Sequence, residues 1–197
     1  SSTSRGLGDV YKRQKLNIAL EGLPTFPSIP KDDPGGNGDL HFTETIEEME
    51  GAYDDWKRGQ WSKMPYVDMC LPSKSDPTMA APGKHFMSVF IQYVPFELAN
   101  GGWNEQRKQD FGNHIINRIA EYSPDFKDLI AHYEVRTPKD IHDEVGLTEG
   151  NIFQGELTMD QLMFNRPVTG YAQYRAPIKD LYTVSYTHLT LPTILLV

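Results

Sequence analysis

The chain reads as an α+β fold, a mixed or antiparallel sheet with helices packed on it. Three observations predict this. Runs at 15–20, 66–71 and 85–94 have the length and composition of strands, and stretches at 46–56 and 104–122 repeat their apolar residues at helical spacing. The two kinds of segment are interleaved without an internal repeat. The whole chain has 197 residues, 39% hydrophobic and 23% charged, which is the size and composition of one ordinary globular domain.

Taken in order, the 15–20 run places Leu16, Ile18 and Leu20 on one face with period two, as a half-buried strand does. Four prolines and the Gly35-Gly36 pair make the next stretch a turn region. Ile46, Met49, Tyr53 and Trp56 then form a helical stripe, with Glu47, Glu48, Glu50 and Asp54 facing away. Thr45 with Glu48 suits a capping box, and Gly59 suits the helix end. In the 85–94 strand, Met87, Val89, Ile91 and Tyr93 share one face while Phe86, Ser88, Phe90 and Gln92 share the other, so both faces are expected to be largely covered. The second helix carries a Phe111, Ile115, Ile119 and Tyr122 stripe and meets Pro124 at its end. A short third helix starts at Thr137-Pro138 and stops at Gly146.

Composition excludes several functions. A formal charge of −8 with no basic cluster is the wrong sign for a nucleic-acid phosphate surface. No apolar run approaches the roughly 18 residues of a membrane span. The single Cys70 rules out an internal disulfide and a CxxC redox pair, and its apolar YVDMCL setting reads as a small buried hydrophobe. The six histidines lack the close spacing of zinc ligands, and no Gly-x-Ser-x-Gly elbow is present, so neither a metal site nor a hydrolytic centre is expected. No Gly-x-Gly-x-x-Gly follows a strand, so a dinucleotide fingerprint is missing.

Residues 147–182 (LTEGNIFQGELTMDQLMFNRPVTGYAQYRAPIKDLY) resemble the C-terminal half of the phytoene-desaturase-like FAD-dependent oxidoreductases. The order that carries the resemblance is a Gly-Asn-Ile-Phe turn, Asp160-Gln161, Arg166-Pro167 and a strand-like Ile178 to Tyr182. The loop 72–85 (PSKSDPTMAAPGKH) is similar to that family's proline-rich loop between two strands, here with Met79 and Ala81 in place of a leucine and a proline. First of all that loop is a hairpin-type connection, and His85 is expected to be satisfied at the sheet end. The opening SSTSRGLGDVYKRQ and the closing VSYTHLTLPTILLV look like translated sequencing-adaptor read-through. The expected organisation is therefore a non-native end at 1–14, a substrate-domain fragment returning toward an FAD-binding domain at 15–182, and a non-native end at 183–197.

The resemblance implies a fragment of an enzyme that transfers hydride between a substrate C–H bond and flavin, with a small, apolar substrate. FAD would be bound by the full-length parent and not by this fragment alone, which is expected to be inactive. Cofactor contacts are expected from Arg166, Tyr174 and Arg175, and substrate contacts from Asn151, Phe153, Gln154, Asp160, Gln161 and Tyr171. Each has a structural alternative: Asn151 bonding locally in a glycine-flanked turn, Asp160 and Gln161 bracing the short helix to Phe164, and Arg166 pairing with Glu156 or Asp160. No catalytic residue is assigned. The compartment implied is cytoplasmic for a bacterial source and mitochondrial for a eukaryotic one. The alternative function is a free-standing α+β ligand-binding or protein-interaction module that never meets a flavin.

Overall fold

The computed structural model describes residues 14–30, 38–43, 45–151, 163–165, 168–173 and 177–180. The chain divides into two units, Val10–Gln154 and one made of Ser1–Asp9 with Gly155–Val197. The first holds a five-stranded antiparallel sheet of β1 (Gln14–Leu20), β2 (Leu40–His41), β3 (Tyr66–Cys70), β4 (His85–Gln92) and β5 (Ile130–Arg136), in the order β2-β3-β4-β1-β5. Among the described residues four α-helices accompany it: α1 (Ile46–Lys57), α2 (Pro72–Ser75), α3 (Glu105–Tyr122) and α4 (Pro138–Val145). The α+β expectation holds, and the sheet is wholly antiparallel.

The core lies on one face of that sheet. Leu16, Ile18 and Leu20 of β1, Val67 and Met69 of β3 and Met87, Val89 and Ile91 of β4 are all buried, and Phe111, Ile115 and Ile119 of α3 complete the same cluster. Each such side chain contributes about 1.5–3 kcal/mol by leaving water. The helix comes close because residue 112 is a glycine. A Cβ there would sit 2.7 Å from a methyl of Val135.

Local signals set the ends of the helices. The Asn104 side chain accepts the Arg107 N–H at 2.9 Å to start α3, and Pro124 follows its last turn. At α4 the Thr137 hydroxyl accepts the Asp140 N–H at 3.1 Å while the Thr137 N–H donates to Asp140 at 2.8 Å. That is a reciprocal cap, and Gly146 at φ 79° ends the helix in the left-handed region that glycine tolerates. The ammonium of Lys108 lies 3.0 Å from Asp140 and ties α4 to α3.

Four sequence expectations need correction. In α1 the stripe has the right period but Ile46 is 76% exposed and Met49 38%, while Ala52 alone is buried, so the apolar residues are displaced from the face that packs. The 85–94 strand ends at Gln92. Residues 177–180 form a bend and a turn with Asp180 at φ 61°, not the start of a strand. Two strands, β2 and β5, are additional to those read from the sequence.

Candidate functional site

Alternation along the strands commits every second residue to the other face of the sheet. Register then builds cross-strand rows there. Asp68, Phe90, Lys15 and Arg136 form one row; Cys70, Ser88, Asn17 and Glu134 form the next. Most of these residues are half-buried. Lys15 holds its ammonium 5.7 Å from the Phe90 ring centre, and the Asn17 amide donates to Glu134 at 3.5 Å. The face is thus a mixed aromatic and polar wall, unlike the apolar face beneath α3.

At one edge of the wall the register sets His41 of β2 opposite Asp68 of β3, with Tyr66 two residues along. The Tyr66 hydroxyl and the His41 Nδ1 are 2.7 Å apart, and the two rings stack with centres 5.6 Å apart. Asp68 approaches the same nitrogen at 3.6 Å. A phenol bonded to an imidazole beside a carboxylate is a unit that can hold and pass a proton. Sequence reasoning missed it because 25 residues separate the ring pair. The signal available was that Tyr66, Asp68 and Cys70 alternate with the core residues Val67 and Met69.

Cys70 shares this face, half-buried. Burial, followed by the nearby carboxylates Asp39 and Asp68, pushes its thiol above the ordinary range, which keeps it protonated. His85 is engaged at the sheet end, its Nδ1 lying 3.1 Å from the Ser73 hydroxyl. In the 72–85 loop Asp76 accepts the Thr78 N–H at 2.9 Å and caps a 3-10 turn, Pro77–Met79. That loop joins neighbouring antiparallel strands β3 and β4, as a hairpin-type connection does.

Of the site residues expected from the sequence, the structure describes Asn151 and Tyr171. Asn151 is buried, 5% exposed, at the end of a 3-10 turn, Thr148–Gly150. Tyr171 is exposed in the second unit and its N–H donates to the Val168 carbonyl at 3.1 Å. Phe153, Gln154, Asp160, Gln161, Arg166, Tyr174 and Arg175 lie outside the described residues.

The described residues do not fit a flavin dinucleotide. Its pyrophosphate needs free N–H groups at a glycine-rich turn opening a helix. Among the described residues the nearest arrangement is Gly101-Gly102 ahead of α3, where Arg107 donates to the carbonyls of Gly102, at 2.7 Å, and Asn100, the Asn104 side chain accepts the Arg107 N–H in the first turn, and Glu105 adds negative charge where an anion would sit. A cleft of about 250 Å³ there is lined by Gly59, Gln60, Trp61, Leu98, Asn100 and Arg107. Among the described residues no three His, Cys, Asp or Glu side chains converge as a metal centre, and no helix is long and apolar enough to cross a membrane.

No family model matches the chain. Over 175 residues, 85% of its length, it is 38% identical to Pyridine nucleotide-disulfide oxidoreductase domain-containing protein 2 of Mus musculus, and over a stretch of the same extent 37% identical to the Rattus norvegicus protein of that name. It is 25% identical over 178 residues to All-trans-retinol 13,14-reductase of Danio rerio. The chain spans about 30% of the length of these curated relatives.

Proposed function

We propose that this chain, homologous over most of its length to part of the rodent Pyridine nucleotide-disulfide oxidoreductase domain-containing protein 2, is the substrate-side segment of an oxidoreductase. The 38% identity over 85% of the chain carries the reading. The parent enzyme is proposed to use FAD, to transfer hydride between a substrate C–H bond and the flavin, and to act on an apolar small molecule. The retinol reductase relative supports that substrate class by its name.

Since the described residues make no pyrophosphate cradle, this segment's part is to bind, orient and exclude water. Phe86, Phe90 and Tyr66 supply apolar surface on the second face of the sheet, and the Tyr66–His41 pair, 2.7 Å apart, supplies a group able to hold or release a proton. Asn151, Phe153, Gln154, Asp160, Gln161 and Tyr171 remain the proposed substrate contacts, and Arg166, Tyr174 and Arg175 the proposed cofactor contacts.

The test is the full-length parent, purified by gel filtration and assayed for bound flavin and for redox turnover of apolar substrates. Flavin at one per chain with turnover is expected; a colourless protein without redox turnover overturns the reading. Within it, Arg166→Lys should lose flavin or turnover relative to Arg58→Lys, because an ammonium cannot replace a planar guanidinium fork. Arg58 is the suitable control, exposed and paired with Asp55 at 2.6 Å, whereas Arg107 holds the 100–102 loop.

A further inference from the structure

His142 sits in the last turn of α4 and reaches the chain that leaves the helix. Its Nδ1 lies 3.1 Å from the Leu147 carbonyl oxygen, and the Glu149 N–H donates to that same nitrogen at 3.2 Å. One ring nitrogen cannot serve both. Carrying a lone pair, it accepts from Glu149; carrying a proton, it donates to Leu147 and has nothing left with which to accept. The backbone it grips is unusual. Glu149 has φ 52°, in the left-handed region that a non-glycine residue avoids, and Gly150 at φ 69° is pressed so close to Pro138 that a Cβ would lie 2.5 Å from the Pro138 carbonyl. The next residue is the buried Asn151.

We propose that His142 is a proton-operated latch on the 147–151 segment. With the neutral imidazole protonated at Nε2, the Glu149 N–H bond holds Glu149 in its left-handed conformation and fixes the path to Asn151. Protonation at Nδ1 hands the ring to the Leu147 carbonyl and withdraws the acceptor from Glu149, whose strain is of the same order as the bond it loses. The segment then relaxes around Gly150, which stays wedged on Pro138.

Charged groups on α4 and on the elements packed against it are paired with one another. On α4 itself Lys139 pairs with Asp143 at 2.8 Å; from β5 Arg136 reaches Glu144 at 3.0 Å; from α3 Lys108 reaches Asp140 at 3.0 Å. Glu97 follows Phe96, whose ring meets the imidazole edge-on at 5.3 Å, and acts on Lys139; Glu149 belongs to the gripped turn. Imidazole is the group in this set of a type that changes charge between about pH 5 and 8. The latch stands on local geometry and does not depend on the oxidoreductase reading.

The experiment uses the 197-residue chain, labelled with ¹⁵N and titrated from about pH 8 to pH 5, the range over which imidazoles titrate. At the upper end the Nδ1 resonance should be that of a lone-pair nitrogen, and as it converts to a protonated one the Glu149 amide should lose protection from hydrogen exchange by about tenfold, the loss expected of one hydrogen bond. His142→Asn, which keeps an acceptor near the Nδ1 position but does not titrate, should retain protection throughout. A lone-pair-free Nδ1 at high pH, or a Glu149 amide equally protected before and after the imidazole titrates, overturns the proposal. The wild-type titration alone decides the matter if the variant fails to fold.

Discussion

At the scale of single residues, two glycines near α4 separate conformation from space. Gly146 and Gly150 both have positive φ, but a Cβ at 146 meets nothing within 4 Å whereas one at 150 meets Pro138 at 2.5 Å. Gly146→Ala should therefore cost about 1 kcal/mol, the left-handed penalty alone, and Gly150→Ala about 2–4 kcal/mol once overpacking is added. Urea unfolding of the two variants measures the difference; equal losses would mean that Pro138 yields freely. His114 supports a second prediction. Burial, opposed by its bond to the Ser62 carbonyl at 3.1 Å, holds its imidazole below the ordinary range of about 6.5. A lowered histidine pKa means that the unfolded chain takes up the proton first, so this stability is complete above about pH 6.5 and declines as pH falls from there through the folded-state value. His114→Gln, which keeps a donor toward Ser62 without a titrating ring, should flatten the fall in melting temperature over that window. An unchanged slope would assign it to other groups. Little of the proton-holding pair was legible at this scale, since Tyr66 and His41 meet only through the register of β2 on β3.

At the scale of elements, what could be read depended on whether the period survived. β1, β4 and α3 have unbroken patterns in the sequence, and the start and end of α4 follow from Thr137-Pro138 and Gly146, while the reciprocal bond from Asp140 does not. β5 has no such pattern. A bulge at Ala19/Leu20 makes Leu20 face Ile130 while Ile18 faces Tyr133 and Leu16 faces Val135, so its inward residues are spaced first three apart and then two. A two-residue strand such as β2 carries no period at all. α1 shows the opposite failure, a correct period on a helix that turns much of its stripe away from the core. It follows that Ile46→Lys, at a residue 76% exposed, should change stability by less than about 0.5 kcal/mol, while Ile115→Ala, at a fully buried one, should cost about 2–5 kcal/mol. Comparable losses from both would show that the α1 stripe is covered in solution.

For the whole molecule, among the described residues every buried side chain of the main core falls between Leu16 and Val135, inside the Val10–Gln154 unit. A chain cut to that unit should unfold in one cooperative transition with a melting temperature close to that of the full chain, measured by far-ultraviolet circular dichroism; a broad, sloping transition would show that the remaining residues complete the core. Mixed with FAD and passed through a gel-filtration column, the 197-residue chain should emerge colourless, since the sequence carries no Gly-x-Gly-x-x-Gly after a strand to cradle the pyrophosphate. Sheet order carries one more consequence, for the order of events during synthesis. Of these five strands β1 comes first in the chain, yet it lies between β4 and β5, so Leu16 finds Val89 only after β2, α1 and β3 have been made and finds Val135 only when α3 has followed. Until then three adjacent inward side chains wait without a partner, and closure of such distant pairs is slow. During synthesis this sheet is most exposed to aggregation between the emergence of β1 and that of β5, and a chaperone that grips short extended apolar runs would find its target at Leu16, Ile18 and Leu20.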